Sequence, residues 1–378
     1  MIADAGRDFD VALVLGGGNA LGAYQGGAYQ ALHERGLEPD WVVGASVGSV
    51  NGAIICGNPV DRRIAQLETW WNVSNVAVAD ARLSPAMYDE ARRTGAALGT
   101  VATGQTGLFA PRHLFGPTWN PFGNVEPASL YDTVPMRASL EQAIDFDRLN
   151  GDAPRFCATA VDIETGEDVI FTAGEQRLGP DHLRASSALL PAFPPVEIDG
   201  RLLADAGVSA NLPLDTVLNT PPARPLLCIA VDLLPLRAPR PQTLGETVIR
   251  MQDLMFATQS RRAIAAWQAI YAARGDDAAR VTLLHLAYSG EGREVSGKAF
   301  DFSPKSAAAR WRAGCRDLGR ALAGLDARPA AMPGLSVFAL DGERRDLTPI
   351  RWNLAPTPFA RGDAGGGAAV HVAHGQTV

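Results

Sequence analysis

The sequence predicts an α/β protein with a mostly parallel central sheet flanked by helices, continued by a helical C-terminal extension. Three features point there. Two strand–turn–helix units follow one another near the N-terminus, as parallel strands with crossover helices require. The strand candidates are short, continuously apolar runs, the pattern of strands covered on both faces. Beyond about residue 240 the pattern turns mainly helical.

Val11–Leu15 is the first such run, broken by Gly16, Gly17, Gly18 and Asn19. Helical spacing then runs from Ala20 to Arg35, with Leu21, Tyr24, Ala28 and Leu32 on one stripe. Gly22, Gly26 and Gly27 are poor helix formers, so close packing of this helix on the sheet is expected of them. Trp41–Val43 repeats the strand, Gly44-Ala45-Ser46-Val47-Gly48 the turn, and Ser49–Cys56 the helix. Helical patterns continue over Asp61–Val73 and Pro85–Leu98.

Residues 101–128 are rich in Gly and Pro yet carry Leu108, Phe109, Leu114, Phe115, Trp119 and Phe122. A loop of that length reads either as one pinned to the core by its aromatics or as a lid or membrane-facing segment. A helix at Pro135–Ala143 precedes strand candidates at Arg155–Val161, Asp168–Thr172 and Leu226–Leu233. The proline-rich step Pro235–Pro241 marks a boundary. Residues 1–238 are expected to form the catalytic domain and 239–360 a mainly helical extension, with helices at Thr243–Arg274 and Ser306–Leu325 and a strand at Val281–Leu286. The Gly/Ala-rich residues 361–378 read as a disordered tail.

Composition narrows the chemistry. The formal charge of -7 argues against a nucleic-acid surface, which needs a basic footprint. The only lysines are Lys298 and Lys305, neither in a G-K-[ST] or S-x-x-K setting, so P-loop and Ser–Lys chemistry are excluded. Cys56, Cys157, Cys228 and Cys315 form no C-x-x-C pair, which argues against a zinc site or a disulfide framework and suits a reducing compartment. No secretory signal or stretch of 18 apolar residues is visible. A cytoplasmic location is expected, with peripheral contact at the inner membrane surface as a further expectation. No metal or cofactor is implied.

The strongest local motif is Gly44-Ala45-Ser46-Val47-Gly48, a G-x-S-x-G between a strand and a helix. Small flanking residues relieve crowding in a sharp turn, and the turn lifts the serine oxygen above the sheet beside a helix N-terminus. The plainer reading is a glycine turn with a helix-capping serine. The Gly16–Asn19 turn fits G-x-G-x-x-G in no register, so it is not a dinucleotide fingerprint; its backbone N–H groups are suited to hold an oxyanion. A serine needs a base. Of six histidines, His33 falls on a helix surface, His371 and His374 in the tail, and His285 inside an apolar strand, so none sits in an evident triad setting. Asp205, after the run Arg201–Ala204, is the alternative base, and apolar surroundings would raise its pKa; locally it also reads as a turn aspartate.

Taken together, Gly17-Gly18-Asn19-Ala20-Leu21-Gly22-Ala23-Tyr24-Gln25, Gly-Ala-Ser46-Val-Gly, Asp205-Ala206-Gly207 and the stretch Ala185–Pro195 resemble the patatin-like phospholipase family over roughly residues 10–235. The resemblance implies a patatin-like three-layer fold and a lipid acyl-ester hydrolase of the phospholipase A, lysophospholipase or esterase type. Its substrate would be a lipid or another acyl ester. It further implies a Ser–Asp dyad in which Ser46 is the nucleophile and Asp205 the base, with Gly17, Gly18 and Asn19 as the oxyanion hole. Gly44, Gly48, Ala206 and Gly207 complete the motifs. Two departures stand out: aligned without a gap, Asn19 stands at the family's third glycine and Leu21 at its basic position, whereas aligning Gly16–Gly18 needs one inserted residue; and Ala206 replaces a glycine. If the loop needs positive φ, Asn tolerates it better than most residues. A catalytically impaired binding protein on the same scaffold and a hydrolase using His285 are the competing readings.

Overall fold

The computed structural model describes residues 7–73, 86–112, 129–151, 154–290, 294–295, 297–326, 332–341 and 347–352. In chain order the elements begin with β1 (Asp10–Leu15), α1 (Ala23–Glu34), β2 (Trp41–Ala45), α2 (Val47–Cys56), α3 (Arg63–Trp71) and α4 (Ala86–Thr103). Next come β3 (Ala110–Pro111), β4 (Tyr131–Asp132), α5 (Val134–Ala143), α6 (Phe146–Leu149), β5 (Arg155–Asp162), β6 (Asp168–Thr172) and α7 (Pro180–Ser186). Then follow β7 (Val196–Ile198), β8 (Arg201–Asp205), α8 (Gly207–Ala210), α9 (Leu214–Leu218) and β9 (Leu226–Asp232). The chain continues through α10 (Leu244–Arg274), β10 (Arg280–Ala287), α11 (Pro304–Asp326), β11 (Gly334–Asp341) and β12 (Thr348–Pro349).

The main sheet runs β12-β11-β10-β9-β1-β2-β5-β8-β7, with β6 also on β5. The neighbours from β11 through β5 are all parallel, and the strands at both margins are antiparallel. Alternation along β1 sorts its side chains between two cores. Val11, Leu13 and Leu15 join the core under α1, α2, α3 and α11. Ala12 and Val14 join the one under α9 and α10. This gives helix–sheet–helix layering, as the apolar strand runs predict.

The division near residue 239 is one of sequence, and the sheet crosses it. The C-terminal region is mainly helical, yet its β10 pairs with β9 from Leu226 to Asp232. Its helix α11 packs along α1, and there the helical glycines find their reason. A methyl group on Gly27 would run into the Trp311 carbonyl, and one on Gly314 into the Tyr24 carbonyl. Close packing was expected of Gly26 and Gly27, but their partner is α11 and not the sheet. Sequence periodicity shows that a helix face is crowded without showing which element crowds it. Residues 361–378, Leu114, Phe115, Trp119 and Phe122 lie outside the described residues.

Arg310 on α11 is fully buried and ties three segments together. Its guanidinium donates to the Ala20 carbonyl (3.0 Å), to the Asp301 and Lys298 carbonyls (2.8 and 3.1 Å) and to both Glu294 carboxylate oxygens (2.9 and 2.8 Å). Burial alone would push the Glu294 carboxyl up; Arg310 overrides this and holds it below the ordinary range. Removing one partner of a buried ion pair leaves the other charge uncompensated, at a cost of about 3–5 kcal/mol. Arg310→Ala should therefore lower the thermal midpoint by several degrees or prevent folding, as differential scanning calorimetry would show.

Candidate active site

The register of β5 brings the candidate residues together. Ala158 pairs with Gly44 of β2 on one edge and with Phe171 of β6 on the other. Ala160 pairs with Val169 of β6 and with Asp205 of β8. A strand residue has two edges, so β8 lies along the same edge of β5 as β2. The parallel β2 ends at Ala45 opposite Thr159, and the antiparallel β8 ends at Asp205 opposite Ala160. The two strands thus meet end to end. The residue after Ala45 is Ser46, and the last residue of β8 is Asp205.

Ser46 caps α2 with φ 55 and ψ −129, a left-handed conformation that costs a non-glycine residue about 1–3 kcal/mol. Its side chain makes no capping hydrogen bond to the helix, so it is not the ordinary helix cap that local sequence allowed. The turn is possible because Gly48 lies against β1, where a methyl group would strike the Leu15 carbonyl. The Ser46 N–H donates to Ser186 Oγ at 3.1 Å, and its carbonyl accepts from Ser49 Oγ at 2.6 Å.

Asp205 is 2% exposed. Burial pushes its carboxyl up to about 6, against hydrogen bonds from the Ser46 side chain and the Gly207 N–H that favour the charged form. The Gly207 contact is 2.7 Å. Ala206 is buried with φ −60, an ordinary helical value, so its methyl group imposes no strain beside the carboxylate. The Asp205 N–H donates to the Ala188 carbonyl at 3.1 Å.

The glycine turn faces the same space. Asn19 adopts φ 52, the left-handed region that asparagine tolerates. The Gly17 N–H is taken by the Asn211 carbonyl at 3.0 Å, which narrows the candidate oxyanion donors to Gly18 and Asn19. Their N–H groups have no acceptor among the described residues. Gly17 has a different task, a close approach in which a methyl group would press on Ser46 Cβ (3.0 Å) and the Asn211 side chain.

Several residues that hold this site carry no motif in the sequence. Asn211 is 3% exposed, and its Nδ2 donates to the Gly17 carbonyl at 3.2 Å. Gln259 of α10 accepts from the Asn211 N–H (2.9 Å) and donates to the Gly207 carbonyl (3.2 Å), steadying the Asp205 loop from the C-terminal region. Behind the glycine turn, Gln25 donates to the Gly16 carbonyl (2.7 Å) and accepts from Asn51 (2.8 Å), which in turn accepts from the Trp71 indole (2.9 Å). Gln25 and Asn51 lie on buried helix faces, Gln259 on a half-buried one, and Asn211 follows α8. A buried amide with nothing apolar to explain it is the one signal that could have marked them.

Ser46, Asp205, Gly18, Asn19 and Asn211 open into one cavity of about 980 Å³, counting its open mouth. Its walls are apolar, with Trp71, Phe109, Phe193, Phe256, Phe300 and Phe302 among them. Phe109 is 4% exposed, and its ring lies 5.0 Å from both Tyr131 and Phe193. The described part of the 101–128 segment is therefore pinned by aromatic packing and forms cavity wall. No histidine lines this cavity among the described residues. His285 instead lines a second cavity, with its Nε2 3.5 Å from Asp232 Oδ2.

Comparison with known proteins gives the following likenesses. The chain is 27% identical over 246 residues to an uncharacterized NTE family protein of Mycobacterium tuberculosis, a match covering 64% of this chain and 55% of that protein. It is 27% identical over 225 residues to the neuropathy target esterase sws of Drosophila melanogaster, covering 59% of this chain and 13% of that one. The chain thus spans about half the length, or less, of these curated relatives. Among solved structures, VipD from Legionella pneumophila aligns over 82% of this chain and 66% of its own, with 13% identity and a TM-score of 0.41. The type III effector ExoU aligns over 83% and 52%, with 14% identity and a TM-score of 0.32. A family model described as DUF3734, patatin phospholipase, matches residues 243–330. The model described as patatin-like phospholipase matches residues 13–218, more than half of the chain, and the chain belongs to that family.

Proposed function

We propose that this protein hydrolyses an acyl ester of a lipid through a Ser46–Asp205 dyad and an acyl-enzyme. One observation carries the reading: a strained serine at a helix start and a buried carboxylate, whose charged form the serine hydroxyl favours, share one end of a large apolar cavity. Asp205 accepts the Ser46 proton as Oγ bonds to the ester carbonyl carbon. The resulting oxyanion is held by the Gly18 and Asn19 N–H groups and by the positive end of α2. As the carbonyl re-forms, the C–O bond to the alcohol breaks and Asp205 returns the proton to it. Water, deprotonated by Asp205, then bonds to the acyl carbon; the bond to Ser46 Oγ breaks, Asp205 returns the proton to Oγ, and the acid leaves. A carboxylate of ordinary pKa would be a feeble base for a hydroxyl, so burial supports the role.

A lipid must leave its bilayer to enter the cavity, and α10 supports a peripheral contact. Leu244, Val248, Met251 and Met255 follow one helical stripe and are 81%, 52%, 58% and 57% exposed. Gln252 and Phe256 of the same helix line the cavity. Arg240 and Arg262 are exposed nearby and supply the local positive charge that the net charge of -7 lacks. No helix among the described residues is long and apolar enough to span a membrane.

Labelling with a fluorophosphonate probe tests the dyad: wild type should label, Ser46→Ala and Asp205→Asn should lose labelling by about a thousandfold, and His285→Ala should keep it. An unlabelled wild type would favour a binding protein, and labelling that survives Asp205→Asn but not His285→Ala a histidine triad. Because the base must be charged, kcat/KM for a soluble short-chain ester should fall as pH drops through about 6, well above the ordinary carboxylate range.

The raised pKa also has a sign for stability. A carboxyl whose folded pKa lies above its unfolded value costs stability in its charged form, so folding weakens as pH rises from about 4 through 6. Asp205→Asn should remove that cost and be as stable as wild type or more so at pH 8, by on the order of 2 kcal/mol. This gain should shrink toward pH 4 in denaturant titrations. On α10, Val248→Asp with Met251→Asp should cut hydrolysis of vesicle-borne lipid about tenfold and leave the soluble ester unaffected. Equal loss on both substrates would remove the membrane role.

A further inference from the structure

A second cavity, of about 610 Å³ counting its open mouth, lies at the carboxyl ends of β9, β10 and β11 under α10. It shares only Leu234 with the Ser46 cavity, so it is a separate compartment. Most of its wall is apolar, including Leu236, Ala257, Leu340 and Ile350. The polar groups are nearly all donors. Arg237 and Arg261 line it and have no hydrogen-bond or ion-pair partner among the described residues. Two ring nitrogens in its lining, His285 Nε2 and Trp352 Nε1, are buried without a hydrogen-bond partner among the described residues.

Each buried donor left unpaired costs about 1–3 kcal/mol, and an indole N–H can only donate. Asp232, 1% exposed, is the counterweight. Its carboxylate accepts from the Leu234 N–H (3.3 Å) and lies 3.5 Å from His285, too poorly aligned there for a hydrogen bond. Asp232 can offset only one of the two arginines, so the cavity stays positive. Open α/β sheets characteristically bind ligands beyond the carboxyl ends of their strands.

We propose that this cavity binds an oxyanion carried on an apolar body, either a fatty carboxylate or an alkyl phosphate. The oxyanion accepts from Arg261, Arg237 and the Trp352 indole, and the chain lies against the leucines and Ile350. The site goes beyond the proposed hydrolysis and does not depend on it.

Calorimetric titration of the full chain with octanoate, octyl phosphate, octanol and inorganic phosphate tests it. One of the two amphiphilic anions should bind saturably. The double variant Arg237→Gln with Arg261→Gln should weaken that binding at least tenfold, and Trp352→Phe severalfold, with unchanged thermal midpoints. Preference for octanoate identifies a free acid and preference for octyl phosphate a lipid headgroup. Neither anion binding at millimolar concentration, full affinity in the arginine variant, or inorganic phosphate or octanol binding as tightly as the better anion would each overturn the proposal. Octanoate held only in the Ser46 cavity as a product analogue would be insensitive to all three substitutions and is thereby distinguished.

Discussion

The edge of β5 is the constraint on which the site depends. β2 occupies that edge in parallel as far as Thr159, and β8 takes over in antiparallel from Ala160. Two strands of opposite direction stop against each other, and neither can extend without displacing the other. The chain must leave at that point from both sides, upward into α2 and into the Asp205–Gly207 turn. Ser46 and Asp205 are therefore placed by backbone hydrogen bonds of the sheet, with a stiffness no pair of flexible loops would offer. The neighbouring α7 region reinforces the junction from both sides: Ser186 receives the Ser46 N–H, and the Ala188 carbonyl receives the Asp205 N–H.

Holding that junction is costly. It keeps a serine at positive φ and a carboxylate away from water, each destabilising by a kcal/mol or more. The C-terminal region supplies compensation and is integral to the site for that reason. Its α11 presses Gly314 against the backbone of α1, and Arg310 reaches the Ala20 carbonyl just past the glycine turn. Its α10 places Gln259 on both Asn211 and Gly207 and contributes Phe256 to the cavity wall. Stability gathered far from Ser46 and Asp205 thus holds a strained, desolvated pair in place.

Much of this was legible in the sequence, for identifiable reasons. Buried parallel strands must be apolar on both faces, so Val11–Leu15, Trp41–Val43 and Leu226–Leu233 declare themselves. A sharp turn before a helix demands small residues, so Gly44–Gly48 stands out, and Asn19 takes the positive φ for which it is suited. The antiparallel pairing of β8 on β5 was hidden, because nothing in Arg201–Asp205 names its partner. Asn51 and Asn211 were hidden because a polar side chain bonding to a distant carbonyl leaves no periodic trace. The mainly helical extension was expected, but its part in the sheet was not, since strands set among long helices do not show which edge they join.

The account rests on Asp205 being a carboxyl lifted toward neutrality by burial. Direct titration of that group, by carbon-13 NMR of aspartate-labelled protein with Asp205→Asn as the assignment control, tests it most plainly. A resonance absent from the variant and titrating with a midpoint near 6 is the predicted result. A midpoint near the ordinary aspartate value of about 4 would contradict the account, because such a carboxylate is solvated and poorly matched to a serine hydroxyl.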